Sequence, residues 1–280
     1  MTGPLHTTAA PVSRTIVLTI DNLGEAAEIE QGTWPADAPR GRHPSVTRAL
    51  PRLLDLLDAL ALRATFFVEA VNTRDYPAAL LEIAARGHEL GFHAWRHERW
   101  GDLHSDDEQD VIDRSFAAYA RLGLDVRAFR PPGGGLNRHT TRRLRVAGVS
   151  WCSAEGERAG VDDAAMAHLP FRWDLVDATY LYRPFAGLRA ERGLPDAPLA
   201  PDDAVARLRR ALAADRDPVA ATLILHPFLM ADDVAWPAYE VLLRELAGRA
   251  AAGDVRVLPG RDVAAELLGR HAAPLALLDD

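Results

Sequence analysis

Two histidines four residues apart, His93 and His97, stand directly behind a short strand-like run, and three other polar signals occupy equivalent places elsewhere in the chain. Four-residue spacing suits two imidazoles to one face of a helical turn, where they can converge on a divalent ion. Taken alone, the pair fits two hydrogen-bonded surface histidines equally well. Asp21 and Asn22 close an apolar run at 15–20, Arg130 with the following Pro-Pro-Gly closes one at 126–129, and His226 closes one at 221–225. Each stands at the carboxyl end of an expected strand, the edge on which parallel α/β sheets and barrels assemble active sites.

Hydrolysing an amide at neutral pH needs an attacking water, a Lewis acid or oxyanion donor, and an acid that protonates the departing amine. Asp21 is the candidate base, His93 and His97 the candidate metal ligands, and His226 the candidate acid. The plainer reading of Asp21 is a helix cap, but a long loop follows it. His226 can be a turn residue, yet an imidazole after five apolar residues is costly to leave unpaired. Arg130 can simply solvate a turn; beside an acidic site, a guanidinium would hold a carboxylate ionised.

Several chemistries are excluded. A zincin helix needs Glu directly after its first histidine, and this chain has Ala94. No Gly-x-Ser-x-Gly elbow exists for a serine hydrolase. All basic residues are arginine, so Schiff-base, Walker-type and Ser-Lys chemistry have no lysine to use. Cys152 is the only cysteine, which rules out an internal disulfide and a thiolate cluster. The net charge of -8 gives no attraction for nucleic acid or anionic membranes. Residues 1–10 show no positive cluster followed by an apolar stretch, and no apolar run is long enough to span a bilayer. A cytoplasmic protein without membrane insertion is expected, its oligomeric state left open.

The elements that must position these side chains alternate between short β-rich runs and longer helical patterns, the mark of an α/β fold with mostly parallel strands. Strands are expected at 15–20, 64–68, 88–92, 126–129, 148–152, 219–225 and 255–258. Helices are expected at 45–60 with Ser45 as N-cap, 76–86, 105–122 with a Ser105/Glu108 capping box, 137–147 capped by Asn137, 201–214, 236–252 and 260–269. Residues 23–44 form a long polar loop of the kind that is functional or disordered. Residues 154–200 are irregular, with 169–173 extended. One domain over residues 1–280 is the expected organisation, with its core at about 14–268.

The ordered set Thr19-Ile-Asp21-Asn22, His93-x-x-x-His97, Arg130-Pro-Pro-Gly133 and Leu223-Ile-Leu-His226 resembles the polysaccharide deacetylase family, also known as the NodB-homology or carbohydrate esterase 4 family. The stretches at 62–68 and 85–93 are similar to its usual wording. The resemblance implies a distorted (β/α) barrel, a zinc-type ion, and removal of an acyl group from an amine by water. It implies Asp21 as general base, Asn22, His93 and His97 as metal site, Arg130 as the residue that positions Asp21, and His226 as acid. Its fourth motif is matched only loosely, by Trp173, Asp174 and Asp177. Pro132, Gly133, Trp95 and Asp174 are the expected substrate contacts. Trp34, Trp95, Trp100 and Trp236 are either rings at the mouth of the site or ordinary packing, and Phe228 and Met230 are candidates for the acyl pocket.

The chief departure is Asn22, where the family normally has a second aspartate. An amide oxygen can coordinate but brings no charge, so a weaker zinc site is expected, or none. The favoured expectation is a metal-assisted amidohydrolase that removes acetyl or formyl from a small or carrier-linked N-acyl amine or amino sugar. The rivals are a metal-independent cyclic amide or ureide hydrolase and a silent ligand-binding domain on the same fold.

Overall fold

The computed structural model describes residues 14–272; the N-terminal stretch read above for an export signal lies outside them. Among the described residues, nine strands form one curled sheet: β1 (Arg14–Asp21), β2 (Thr65–Val68), β3 (Glu89–Phe92), β4 (Ala128–Phe129), β5 (Trp151–Cys152), β6 (Gly160–Val161), β7 (Ala167–His168), β8 (Ala221–Leu225) and β9 (Val255–Leu258). Their order is β6-β7-β5-β4-β3-β2-β1-β8, with β9 beside the first half of β1. Every pair is parallel except β6 with β7. Beyond β7 the chain bridges Glu155 through Phe171 and then β8 through Val176, opposite Ile224. One segment therefore touches both ends of the sheet and closes it into a distorted barrel, as the family resemblance implied.

Side chains alternate across each strand, so the curl sorts them by parity. Ile16, Leu18 and Ile20 of β1, with Phe66, Leu90, Phe92 and Leu223, face outward into the main core beneath the helices. Val17, Phe67, Ala128, Trp151 and Ala167 face inward and fill the barrel base together with Val263 and Ala264 of the helix Gly260–Ala272. That helix starts against the Trp151 ring, where a Cβ on Gly260 would lie only 2.1 Å from it. Glu89, inward on β3, accepts bonds from the Arg261 backbone N–H, Trp151 Nε1 and the Thr65 hydroxyl at 2.9, 2.9 and 2.6 Å. An acidic side chain thus anchors a helix N-terminus at the base.

Several local expectations give way to tertiary demands. The helix Ser105–Arg121 has no side-chain cap, because Glu108 turns inward to accept bonds from Asn137 and Thr140. Asn137 is drawn to Glu108 in turn, and its helix begins only at Thr140. Ser45 caps no helix either: its hydroxyl accepts the Gly24 N–H at 2.9 Å, and the turn Ser45–Ala49 leads into the helix Leu50–Ala59. The irregular region resolves into β6, β7 and short helical turns, among them Asp177–Leu181. No helix among the described residues is long and apolar enough to cross a membrane.

Candidate active site

Two residues further along the inward parity from the barrel base, the side chains become polar: Thr19 and Asp21 from β1, Glu69 past β2, His93 past β3, Arg130 past β4, Ser153 past β5 and His226 past β8. Gly91, the inward residue before His93, leaves room for the Phe67 ring, which would lie 2.5 Å from any Cβ there. The result is a pocket of about 630 Å³ at the carboxyl end of the barrel, lined by Asp21, Asn22, His93, His97, Arg130, Pro132, Gly133 and His226 among others. Of the ten residues expected to act as catalytic, metal or substrate contacts, eight meet there.

Arg130 is the hub. Its buried guanidinium donates to Asp21 Oδ1 at 2.6 Å, to the Thr19 hydroxyl at 2.8 Å and to the Ser153 hydroxyl at 2.8 Å. Phe67 packs against its face, with the guanidinium carbon 4.3 Å from the ring centroid. Its backbone oxygen bonds His93 Nδ1 at 2.8 Å. A carbonyl can only accept, so Nδ1 carries the proton and Nε2 keeps its lone pair. One residue therefore orients both the carboxylate and the first imidazole.

His93 and His97 approach with ring centroids 4.9 Å apart, but not on a helix. Residues 93–97 form a turn in which Ala94 and His97 have φ of 62° and 75°. Two bonds from the β2 side hold it, Ala70 N–H to Ala94 O and Val71 N–H to Trp95 O, at 2.9 and 3.0 Å. Glu98, paired with Arg114, accepts the Trp95 and Arg96 N–H groups. The expected helix is displaced because these contacts satisfy the backbone polar groups. Withdrawal from water holds His93 and His97 down to about 3, so both rings are neutral at physiological pH and able to coordinate.

Asn22 follows β1 with φ of 63°, a left-handed conformation that asparagine tolerates. Its amide Nδ2 donates to Glu69 Oε1 at 2.9 Å, which leaves Oδ1 as its free acceptor. Glu69 also receives the Leu23 N–H and the Asn72 amide at 3.3 and 3.2 Å. Burial pushes its carboxyl up to about 8, with backbone hydrogen bonds opposing and Asp21 adding to the rise. Among the described residues no three His, Cys, Asp or Glu side chains form a metal cluster. The donor set is two neutral imidazoles and an amide oxygen, which fits a weakly held ion of zinc type.

His226 Nδ1 bonds Asp177 Oδ1 at 2.5 Å, and Asp177 Oδ2 accepts the His226 backbone N–H and the Tyr239 hydroxyl at 2.8 and 2.7 Å. Burial disfavours the imidazolium, but the Asp177 carboxylate, with Asp21 beyond, outweighs it and raises the His226 pKa. Nδ1 is thereby committed to Asp177, and Nε2 is the nitrogen left for the pocket.

Two expected contacts lie elsewhere. Asp174 pairs with Arg172 at 3.1 Å and lines a neighbouring cavity, because the short turn Trp173–Leu175 carries it away and brings Asp177 to His226 instead. Trp95 packs on the main core with Arg114 over its ring at 5.1 Å. Trp100, Trp236 and Met230 are buried in that core, and Trp34 rests against His43. Phe228 and Trp173 do line the pocket, as do Glu28 and His43 from the long polar loop. The reading of strand ends passed over Glu69, although it follows the apolar run of β2 as Asp21 follows β1. Thr19 and Ser153 were visible as parity partners of Asp21 and Trp151. Tyr239 carried no local signal.

Known proteins resemble this chain in sequence and in fold. Chitin deacetylase 1 of Saccharomyces cerevisiae is 33% identical over 96 residues, 34% of this chain and 32% of the yeast protein. A peptidoglycan-N-acetylglucosamine deacetylase of Bacillus cereus is 31% identical over 112 residues, 39% of this chain and 49% of that one. The matches thus span a third to a half of these curated relatives' length. A crystal structure of a putative polysaccharide deacetylase from Mycobacterium smegmatis superposes with a TM-score of 0.77 at 26% identity, covering 95% of both chains. The polysaccharide deacetylase family profile matches residues 11–151, half of the chain, and the chain belongs to that family.

Proposed function

We propose that this pocket hydrolyses an N-acyl amide, removing acetyl or formyl from a small or carrier-linked amine. The observation that carries the reading is the pairing of two opposed groups at one pocket. Asp21 is held by Arg130, and His226 is held by Asp177. Asp21 takes a proton from the attacking water through Oδ2, since Oδ1 is engaged by Arg130. His226 Nε2 delivers a proton to the departing nitrogen as the carbon–nitrogen bond breaks, and Asp177 stabilises the imidazolium that serves as donor. A zinc-type ion would be held by His93 Nε2, the His97 imidazole and Asn22 Oδ1, and when bound supplies Lewis acidity to the amide carbonyl and to water. Both proton-transfer groups are well withdrawn from bulk water, which strengthens their electrostatic effect.

Acetate and formate release should be measured across N-acyl amines and N-acetyl sugars, the latter being the class in the relatives' names. Asp21→Asn and His226→Ala are each expected to lower turnover about a hundredfold or more while circular dichroism stays native. Undiminished release in either variant, or none from the native protein on any substrate with zinc supplied, would sink the reading.

A further inference from the structure

An unbroken arc of ring contacts runs around the pocket from one reaction residue to another. The Arg130 guanidinium lies 5.5 Å from the Phe171 ring centroid. Phe171 meets Trp173 at 5.2 Å, Trp173 meets Phe185 at 5.8 Å, and Phe185 meets Tyr182 at 5.1 Å. Tyr182 then meets Phe228 at 5.4 Å, and Phe228 meets His226 at 5.2 Å. Each of these ring pairs is edge-on. Such packing fixes the rings against one another.

The arc is not part of the main core. Trp173, Tyr182 and Phe185 rest on a small satellite cluster, and with Phe228 they are only half-buried. Large rings left half-covered in a concave wall are places where a ligand gains by displacing water. Glu28, Glu30 and Gln31 line the same pocket and give it a polar part. Tyr182, the arc's only phenol, bonds Gln31 Oε1 at 3.3 Å.

The position of the arc relative to the chemistry assigns its occupant. Phe228 touches His226, the group that protonates the leaving nitrogen, so the wall borders the amine side of the scissile bond. We infer that the amine released here carries an aromatic or branched apolar group, seated against Tyr182, Phe185 and Phe228. The inference rests on amide hydrolysis at the same pocket.

The test compares three acetamides that share one acyl group: N-acetylphenethylamine, N-acetylmethylamine and the trisaccharide of N-acetylglucosamine. The native protein is expected to show a kcat/KM for the phenethyl amide at least about tenfold above the other two. In Phe185→Ala, the ratio of phenethyl to methyl amide should fall about tenfold. A wall with a purely structural role would lower both rates together and leave the ratio intact, which overturns the proposal. So does a trisaccharide hydrolysed faster than the phenethyl amide. Calorimetric binding of phenethylamine separates the two readings. If no amide is cleaved but the amine binds, and binds more weakly to Phe185→Ala, the wall stands and the hydrolase reading falls. If an N-acetyl sugar is cleaved and the amine does not bind, the wall falls and the hydrolase reading stands.

Discussion

At the scale of single residues, Asn22 is the departure with most consequence, and Glu69 explains how the chain accommodates it. An aspartate at position 22 would place a second carboxylate within hydrogen-bond distance of a buried one, with Asp21 next in sequence. Like charges so close resist joint ionisation. Above pH 8, where Glu69 is ionised, Asn22→Asp alone is therefore expected to improve zinc affinity little, whereas Asn22→Asp with Glu69→Gln restores a donor facing the new carboxylate and should tighten zinc about tenfold or more. Competition titration against a chromophoric chelator measures this; equal affinity in both variants would remove Glu69 from the account. Asp177 admits a second prediction. It raises the His226 pKa, so Asp177→Asn lowers it, and the acid form is lost at lower pH. The alkaline limb of the pH–rate profile should move toward acid, and a profile unchanged in shape would argue that His226 is not the acid. Asp21, Arg130 and His226 were legible from type and position alone. Asp177 and Asp174 could not be ranked by sequence, because a single short turn decides which of them faces the pocket.

At the scale of elements, the strands were legible because burial on both faces of a curled parallel sheet gives short, near-continuous apolar runs. Helix starts were less so. Ser105, Asn137 and Ser45 all looked like caps, yet Glu108, Asn137 and Ser45 each took a partner from another element. Capping contributes only about 1 kcal/mol, so a buried polar network overrides it. The same holds for the turn at 93–97, whose left-handed residues depend on Glu98 and on the segment after β2. Close packing beneath that turn gives a stability prediction. Gly91→Ala drives a Cβ toward the Phe67 ring and should destabilise the fold by about 1–3 kcal/mol in denaturant unfolding. A variant as stable as the native chain would show that the barrel interior yields there.

At the scale of the whole molecule, the barrel buries ionisable groups at both ends, His88 ahead of β3 and Glu69, His93 and His97 past the carboxyl ends of the strands, and their shifts set the pH dependence of stability. Burial holds His88 down to about 4 and His93 and His97 down to about 3, against 6.5 for an ordinary imidazole. Below 6.5 the unfolded chain binds more protons, so stability falls as pH drops through that window. Glu69 acts in the opposite sense. Its carboxyl is raised from 4.5 to about 8, so the folded state binds the extra proton and stability declines as pH rises between those values. These four groups place the maximum melting temperature near pH 6.5, and Glu69→Gln should flatten the alkaline side. A native profile still rising between 6.5 and 8 would contradict the assignment. The sequence by itself determined the strand runs, the polar residues that end them and the excluded chemistries, because these follow from local periodicity and residue type. Only the tertiary structure decided that Asp177 serves His226, that Glu69 fixes the Asn22 amide and that an aromatic arc walls the site, because each depends on contacts between segments far apart in the chain.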